Sequence, residues 1–392
     1  MNRIAIILGS GFSFNAGLPL AKDINSYFTQ DNKKKLLHFT SDEWKWYDLA
    51  NDTDRNNGSL RFDRIIYGYI LNELVLEFIK KNKEFNNYEE FYQFVIDNLN
   101  EREIIIKISN QAYKKFEEDY IINKDIRLYE TYINDFFNPQ LNQIYNMINY
   151  LIGDLLFWRK SFSDFSSSYN QFISYISYFE HKDIFTLNHD CLLEALFESN
   201  NIKYSDGFST DGSCLQSNES KKIKCFNGEF DSTNIIKIHG SIDLYKYIFV
   251  KEDGSIMYPT GEYIYFKTHD YYEKQSPIRI NTKNGQIVQK FHWNITPQFI
   301  TGTNKKKLIE TDNMYKTLYN ELKKRILLAD TLLIIGYSYS DKHINSQIKS
   351  SLSKGKIVKL ININPSLSFP FEYKESIELL NLKKIDELQV ID

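Results

Sequence analysis

Cysteine is scarce in this chain: Cys191, Cys214 and Cys225 are the only three in 392 residues. Their number is odd and none forms a Cys-x-x-Cys pair. That argues against a disulfide framework or a four-cysteine zinc module and points to a reducing compartment. Long apolar runs are also missing. No stretch approaches the roughly 20 residues needed to cross a bilayer. The N-terminal run Ile4–Leu8 is too short for the apolar core of a secretory signal. Positive charge is not in excess either, with 48 Lys and Arg against 51 Asp and Glu and a net charge of −3. No overall basic field therefore draws nucleic acid or anionic membrane. The Lys33-Lys34-Lys35 run reads as a solvated face. Together these absences give the expectation of a soluble, cytoplasmic protein.

What is present is a globular composition, 42% hydrophobic, 25% charged and 15% aromatic, in a chain long enough for one large or two ordinary domains. Four short apolar runs stop abruptly at polar residues. They are Ile4–Leu8 before Gly9-Ser10-Gly11-Phe12-Ser13, Ile184–Leu187 before Asn188-His189-Asp190, Ile235–Ile238 before His239-Gly240-Ser241, and Thr331–Ile335 before Gly336-Tyr337-Ser338. Such runs read as buried parallel strands, and open α/β sheets place ligands at the carboxyl ends of those strands. The pattern predicts a nucleotide-handling enzyme.

The first strand leads through the glycine loop to a helix starting near Pro19 and running through Ile24 and Phe28. Residues 31–165 show three- and four-residue apolar spacing, as in Ile65, Tyr69, Leu71, Leu74 and Phe78, and again in Phe91, Phe94, Val95 and Leu99. That spacing predicts several helices. Another helix spans Phe172–Glu180. Residues 201–234 form a polar excursion, and 244–291 alternate aromatic and polar residues, which predicts small strands or an irregular lobe. Leu308–Leu328 reads as one amphipathic helix. Lys356–Pro365 reads as a fifth strand, and a helix from about Tyr373 to Leu380 closes the chain. The expected fold is a Rossmann-like, mostly parallel α/β sheet flanked by helices, with a large helical insertion after the first strand-helix unit. Its catalytic domain comprises residues 1–30 and 166–392, and the helical insertion 31–165.

The loop Gly9-Ser10-Gly11-Phe12-Ser13 can bring backbone close to a diphosphate before a helix start. It matches neither GxGxxG nor the P-loop, whose lysine is absent, and a plain tight turn accounts for it equally well. Asn188 and Asp190 stand where a strand ends, suited to ribose hydroxyls or a water. Asp190 is also a natural cap for the helix Cys191–Phe197. His189 between them points to the opposite side if strand alternation persists. His239 ends an apolar strand, Gly240 and Ser241 leave space beside it, and imidazole is suited to proton transfer near neutral pH. Asp341, His343 and Asn345 have a spacing open to metal ligation, but they read more simply as a helix start. No metal site is expected.

Taken in order, these segments resemble the sirtuin-like family, and most closely its large bacterial branch in anti-phage defence, whose members hydrolyse NAD+. The matching pieces are Gly9–Ser13 with Ala16-Gly17-Leu18-Pro19, Thr186–Asp190, His239-Gly240-Ser241, Gly336-Tyr337-Ser338 and Asn362-Ile363-Asn364. By that resemblance NAD+ is the substrate, and Gly9, Ser10, Gly11, Phe12 and Ser13 contact its diphosphate. Asn188 serves the nicotinamide-side ribose or an attacking water, and Asp190 supports the nicotinamide pocket. His239 is the general base. Gly336, Ser338 and Asn364 belong to positions around the adenosine half. Deacylating sirtuins carry a four-cysteine zinc module after the catalytic His-Gly, and this chain has no cysteine beyond Cys225. Leu20-Ala21-Lys22 replaces the family's usual Phe-Arg pair. Both departures point from deacylation toward water as acceptor. The resemblance thus implies an NAD+ glycohydrolase without zinc, working as a homo-oligomer with a separate partner such as a hexameric DNA-translocase-type ATPase. The alternatives are a protein ADP-ribosyltransferase or deacylase, and a non-catalytic NAD or ADP-ribose sensor.

Overall fold

The computed structural model describes residues 2–29, 35–39, 44–48, 62–85, 87–99, 101–119, 148–149, 152–153, 155–157, 166–210, 215–216, 223–247, 264–267, 278–280, 287–290, 297–299 and 305–389. Lys33, Lys34 and Cys214 lie outside them. The chain divides into two compact units, one of residues 1–20, 156–300 and 305–392, the other of residues 21–155 with 301–304.

The first unit is built on a six-stranded parallel sheet. Its strands are β1 (Arg3–Leu8), β2 (His181–Thr186), β3 (Thr233–Lys237), β4 (Thr331–Ile335), β5 (Lys359–Ile363) and β6 (Glu378–Leu382). Their spatial order is β6-β5-β4-β1-β2-β3, and every neighbouring pair runs parallel. This is the doubly wound order in which the chain leaves the centre in opposite directions. The reversal falls between β1 and β4.

Both faces of this sheet are covered, which explains the unbroken apolar runs. Ile4, Ile6, Leu8, Ile184, Ile235, Leu333, Ile335, Ile361 and Ile363 point into one core. Ala5, Ile7, Phe185, Ile236, Leu332, Ile334 and Leu360 point into the other. On the first face lie helices α1 (Asn170–Ser177) and α2 (Leu192–Ser199), which contribute Phe172, Ile176, Leu192 and Phe197. On the second lie α3 (Asn313–Ile326) and α4 (Lys342–Lys354), with Leu318, Leu322, Ile344 and Ile348. The result is a three-layer Rossmann-like α/β fold.

Several elements differ from the expectation. The closing segment is strand β6, not a helix. Its side chains alternate, with Leu379 packed on one core and Leu380 and Leu382 on the other. Asn362 Nδ2 donates to Asn381 Oδ1 at 2.9 Å, adding a side-chain tie to the backbone ladder. Period two wins over a helical face here. The amphipathic stretch near 308–328 is two helices, Lys305–Thr311 and α3. Asp312 breaks them, because its side chain accepts the amides of Met314 and Tyr315 and so starts a new helix. The glycine loop itself contains a one-turn helix, Ser10–Phe14, and the helix expected near Pro19 begins at Ala21. Between β2 and β4 the chain forms short strands, among them Lys224–Phe226, Leu244–Tyr247 and Ile264–Lys267, in line with a small lobe.

The second unit holds the helices Ala21–Thr29, Phe62–Asn82, Tyr88–Leu99 and Arg102–Asp119, and an antiparallel pair, Lys35–Phe39 with Trp44–Asp48, that periodicity did not suggest. Phe28, Phe78, Phe85 and Phe91 pack ring against ring in its core.

Candidate functional site

The carboxyl ends of β1, β2, β3 and β4 share one edge of the sheet, and the polar residues that follow them meet there. Gly9 N donates to Ile335 O at 3.0 Å and Gly11 N to Gly336 O at 3.1 Å, so the turns after β1 and β4 are in backbone contact. Gly336 has φ +61°, and a Cβ there would lie 2.5 Å from backbone atoms of Gly11 and Phe12. Only glycine fits this approach. The glycine turn therefore stands at the β1/β4 reversal, where a doubly wound sheet opens its crevice.

Asn188, just past β2, reaches across to this turn. Its Nδ2 donates to Gly9 O and to Ser13 Oγ, both at 3.0 Å. Ser13 Oγ in turn donates to Asp190 Oδ2 at 2.8 Å, and Asp190 Oδ1 accepts the Leu192 amide at 3.1 Å. Both amide hydrogens of Asn188 are thereby committed, which fixes its flip state and leaves the carbonyl oxygen as the group able to accept from a ligand. Cys191, not Asp190, occupies the N-cap of α2; Asp190 stands one residue before it and receives the first helical amide while tying down Ser13. Asn188 and Asp190 share the Ser13 side, while His189 turns away to pack 4.8 Å from the Phe299 ring, with Nδ1 3.5 Å from Gly240 O. Strand alternation persists just past β2.

His239, past β3, is 4% exposed, and its Nε2 lies 3.2 Å from Asp341 Oδ2. Asp341 is the N-cap of α4: its Oδ1 accepts the amides of His343 at 2.9 Å and Ile344 at 3.2 Å. Lys305 Nζ lies 3.3 Å from the same Oδ2. Burial would raise the Asp341 carboxyl, but His239, Lys305 and the helix amide outweigh it and hold it well below the usual carboxylate range. The tether from His239 back to the glycine turn is the β4 loop itself. Tyr337, beside Gly336, donates its hydroxyl to Asp341 O and receives the Asp341 amide. Sequence reasoning weighed Asp341 as a metal ligand and preferred a helix start, which it is. Its second oxygen was missed, because nothing local marks which distant side chain it meets.

Gly240 does not leave open space beside the imidazole. It has φ +84°, and a Cβ would fall 2.2 Å from Gln298 O, since the short strand Gly240–Ser241 pairs with Gln298–Phe299. The glycine is there for backbone approach. Phe12 is also a packing residue: its ring sits 5.0 Å from Tyr169 and 5.1 Å from Phe172. Its carbonyl accepts the Tyr169 hydroxyl at 2.6 Å. Asn364 is buried, with Nδ2 on Tyr337 O and Oδ1 accepting from Ser366 and Leu367, so it shapes the β4 and β5 loops. Ser338 is exposed and lies 2.9 Å from Ser340 Oγ. Ser10 and Gly11 are half-buried at the turn.

Behind Asp190 lies a buried charge cluster. Lys237 Nζ donates to Asp190 O and to Glu194 Oε1, the latter at 2.9 Å, and Lys267 pairs with Asp206 at 2.8 Å and Asp243 at 3.9 Å. Cys191, Glu194 and Asp243 offer ligand atoms within 4.8 Å of one another. Two ammonium groups are already paired with the three carboxylates Glu194, Asp206 and Asp243, so the cluster reads as an ion-pair brace under Asp190. Burial pushes the Cys191 thiol up, which keeps it inert.

His189 carries a pH consequence. Burial first, and His239 next, lower it from 6.5 to about 3. An unfolded histidine takes up its proton near pH 6.5 and this one resists until about pH 3, so between those values the unfolded state binds more protons and stability falls on acidification. At about 1.4 kcal/mol per unit, the loss by pH 4 is on the order of 3 kcal/mol. Urea midpoints at pH 7 and pH 4 should show this slope in the wild type and a flatter one in His189→Gln.

A family model described as a SIR2-like domain matches residues 182–361, so that part of the chain is similar to sirtuin-like domains. That span runs from β2 to β5 and includes Asn188, His239 and Asp341. A solved structure described as a Sir2 homolog–NAD complex aligns at 10% identity and a TM-score of 0.35, over 98% of this chain and 85% of its own. No curated protein matches. Among the described residues, no helix is long and apolar enough to cross a membrane.

Proposed function

We propose that this protein is an NAD+ glycohydrolase that releases nicotinamide and ADP-ribose. One observation carries the reading: Asn188 is bonded to the glycine turn at the β1/β4 reversal, with its carbonyl left as an acceptor. In the reaction the bond from ribose C1′ to the nicotinamide nitrogen breaks, with its electron pair going to that nitrogen. Water adds to C1′ and loses one proton. Positive charge grows at C1′ as the bond stretches, so the enzyme has to grip the ribose and present a single water. The glycine turn admits the diphosphate close to backbone, the Asn188 carbonyl accepts from a ribose hydroxyl or the water, and His239 takes the proton.

The anti-phage setting, the cytoplasmic location, the homo-oligomer and the ATPase-type partner belong to this proposal and rest on the resemblance of the sequence motifs. The test is product analysis by chromatography, with the protein alone and across concentrations at which it self-associates. Wild type should convert NAD+ to nicotinamide and ADP-ribose, and Asn188→Ala should lose about 100-fold or more with its unfolding midpoint little changed. NAD+ bound but intact after hours in both proteins would replace hydrolysis with a sensor role. Tagged ADP-ribose appearing on protein would replace it with transfer.

A further inference from the structure

We propose that the outer edge of β6 is a self-docking surface, through which two copies of this chain join their sheets about a twofold axis at Leu380. The docking does not depend on hydrolysis; it gives the homo-oligomer of the preceding reading a surface. The two edges of the sheet are unlike. Beside β3 the chain closes the ladder itself, since Ser205 N donates to Thr233 O and Ile235 N to Ser205 O, both at 2.9 Å. Beside β6, among the described residues, no strand follows. Parallel pairing with β5 uses alternate residues of β6. Glu378 N donates to Val358 O at 2.9 Å, and Leu382 O accepts Asn364 N at 3.0 Å. Glu378, Leu380 and Leu382 therefore bond inward, and the odd-numbered residues turn their N–H and C=O outward. That outward row is closed at both ends. Ile377 N is taken by Lys374 O at 2.9 Å and Lys383 N by Glu387 Oε2 at 3.0 Å. Between them Leu379 and Asn381 hold two backbone donors and two acceptors with no partner among the described residues.

An open row of this kind is a template for another strand, and a second copy fits it. An antiparallel partner with its Asn381 opposite Leu379 satisfies all four groups of each chain through four backbone bonds. Sliding the register by two residues either way brings in Ile377 or Lys383, whose amides are already taken. Directly opposite residues share a face, so Leu380, packed on the core beneath Ile361 and Ile363, meets its own copy on the axis. Glu378 then lies diagonal to Lys384 of the second copy, within reach of long side chains. Both residues are exposed, and Lys384 is still extended, with φ −136° and ψ 155°. Six residues of extended chain, about 20 Å, separate them, so they cannot pair within one molecule. The twofold gives each its opposite charge. Tyr373, 42% exposed and 6.2 Å ring to ring from Phe369, adds apolar surface nearby, since Phe369 N donates to Asn381 Oδ1 at 3.1 Å.

The experiment is analytical ultracentrifugation of the full chain over a concentration series, in which wild type should show reversible association. Leu379→Pro removes an outward N–H and leaves the β5 ladder whole, a place where a strand tolerates proline. Losing two of the four bonds between copies should weaken association about 10- to 100-fold, with a urea midpoint close to wild type. Glu378→Lys and Lys384→Glu, both at exposed positions, carry the test should the proline variant fail to fold. Each alone sets like charges against each other twice and should weaken association about tenfold. An equimolar mixture of those two variants should recover it, because opposite charges then face each other at both ends. A strictly monomeric wild type overturns the docking and leaves the edge to a strand from another chain. Association that ignores all three variants, or a mixture no tighter than its components, also overturns it. Association as stated, in protein that leaves NAD+ intact, supports the docking and counts only against hydrolysis.

Discussion

Replacing His239 with alanine is expected to cut NAD+ turnover by about 10²- to 10⁴-fold, the range that a positioned general base contributes. The loss should fall on kcat while NAD+ still binds, because the glycine turn and Asn188 are built from other strands. His189 cannot take over. It is held near pKa 3, is a weak base at neutral pH, and packs on Phe299. The fold should survive, since removing the imidazole leaves Asp341 paired with Lys305 and two helix amides. A far-ultraviolet spectrum and urea midpoint close to wild type, together with calorimetric NAD+ binding, would separate lost chemistry from lost structure. Retention of more than a tenth of the activity would remove His239 from the role of base.

Gly336→Ala, just past β4, is expected to be strongly destabilising. Two costs coincide. A left-handed φ of +61° costs a non-glycine residue about 1–2 kcal/mol, and the new methyl meets Gly11 backbone at 2.5 Å. Backbone cannot step aside as a flexible side chain does, so the β1 and β4 turns would have to part. A total above about 4 kcal/mol places the variant among the exceptional destabilisers. Gly228→Ala is the matched control, with φ +72° but only the Thr317 methyl at 3.3 Å in its way. It should lose about 1 kcal/mol. Equal urea midpoints for the two variants would mean that close approach of the turns is not what Gly336 provides.

Strands β1 to β5 were legible because burial on both faces leaves a run of apolar residues that no helix pattern imitates at that length. Strand β6 was not. Its Glu378-Leu379-Leu380-Asn381-Leu382 is only partly buried at the sheet edge, and three leucines in five residues fit a helix face as well as a strand. At the site, the alternation of Asn188, His189 and Asp190 was readable from the strand they extend, whereas the cap expected at Asp190 falls one residue later, at Cys191. The positions of Gly240 and Phe12 were not. Each is set by a segment remote in sequence, Gln298–Phe299 for one and Tyr169 with Phe172 for the other. The His239–Asp341 pair belongs to the same class: local propensity places each residue, and only tertiary packing introduces them to each other.

The order in which the strands are made has a consequence for biosynthesis. Strand β1 emerges first, yet one of its flanking partners is β4, and the Arg3 amide bonds to Asp330, 327 positions later. Contacts of such separation form slowly and late. A partly synthesised polypeptide therefore holds the glycine turn with half its wall missing, and His239 without its carboxylate, until Asp341 has been added. If the proposed hydrolysis holds, a premature stop before that point is expected to give a fragment without NAD+ turnover.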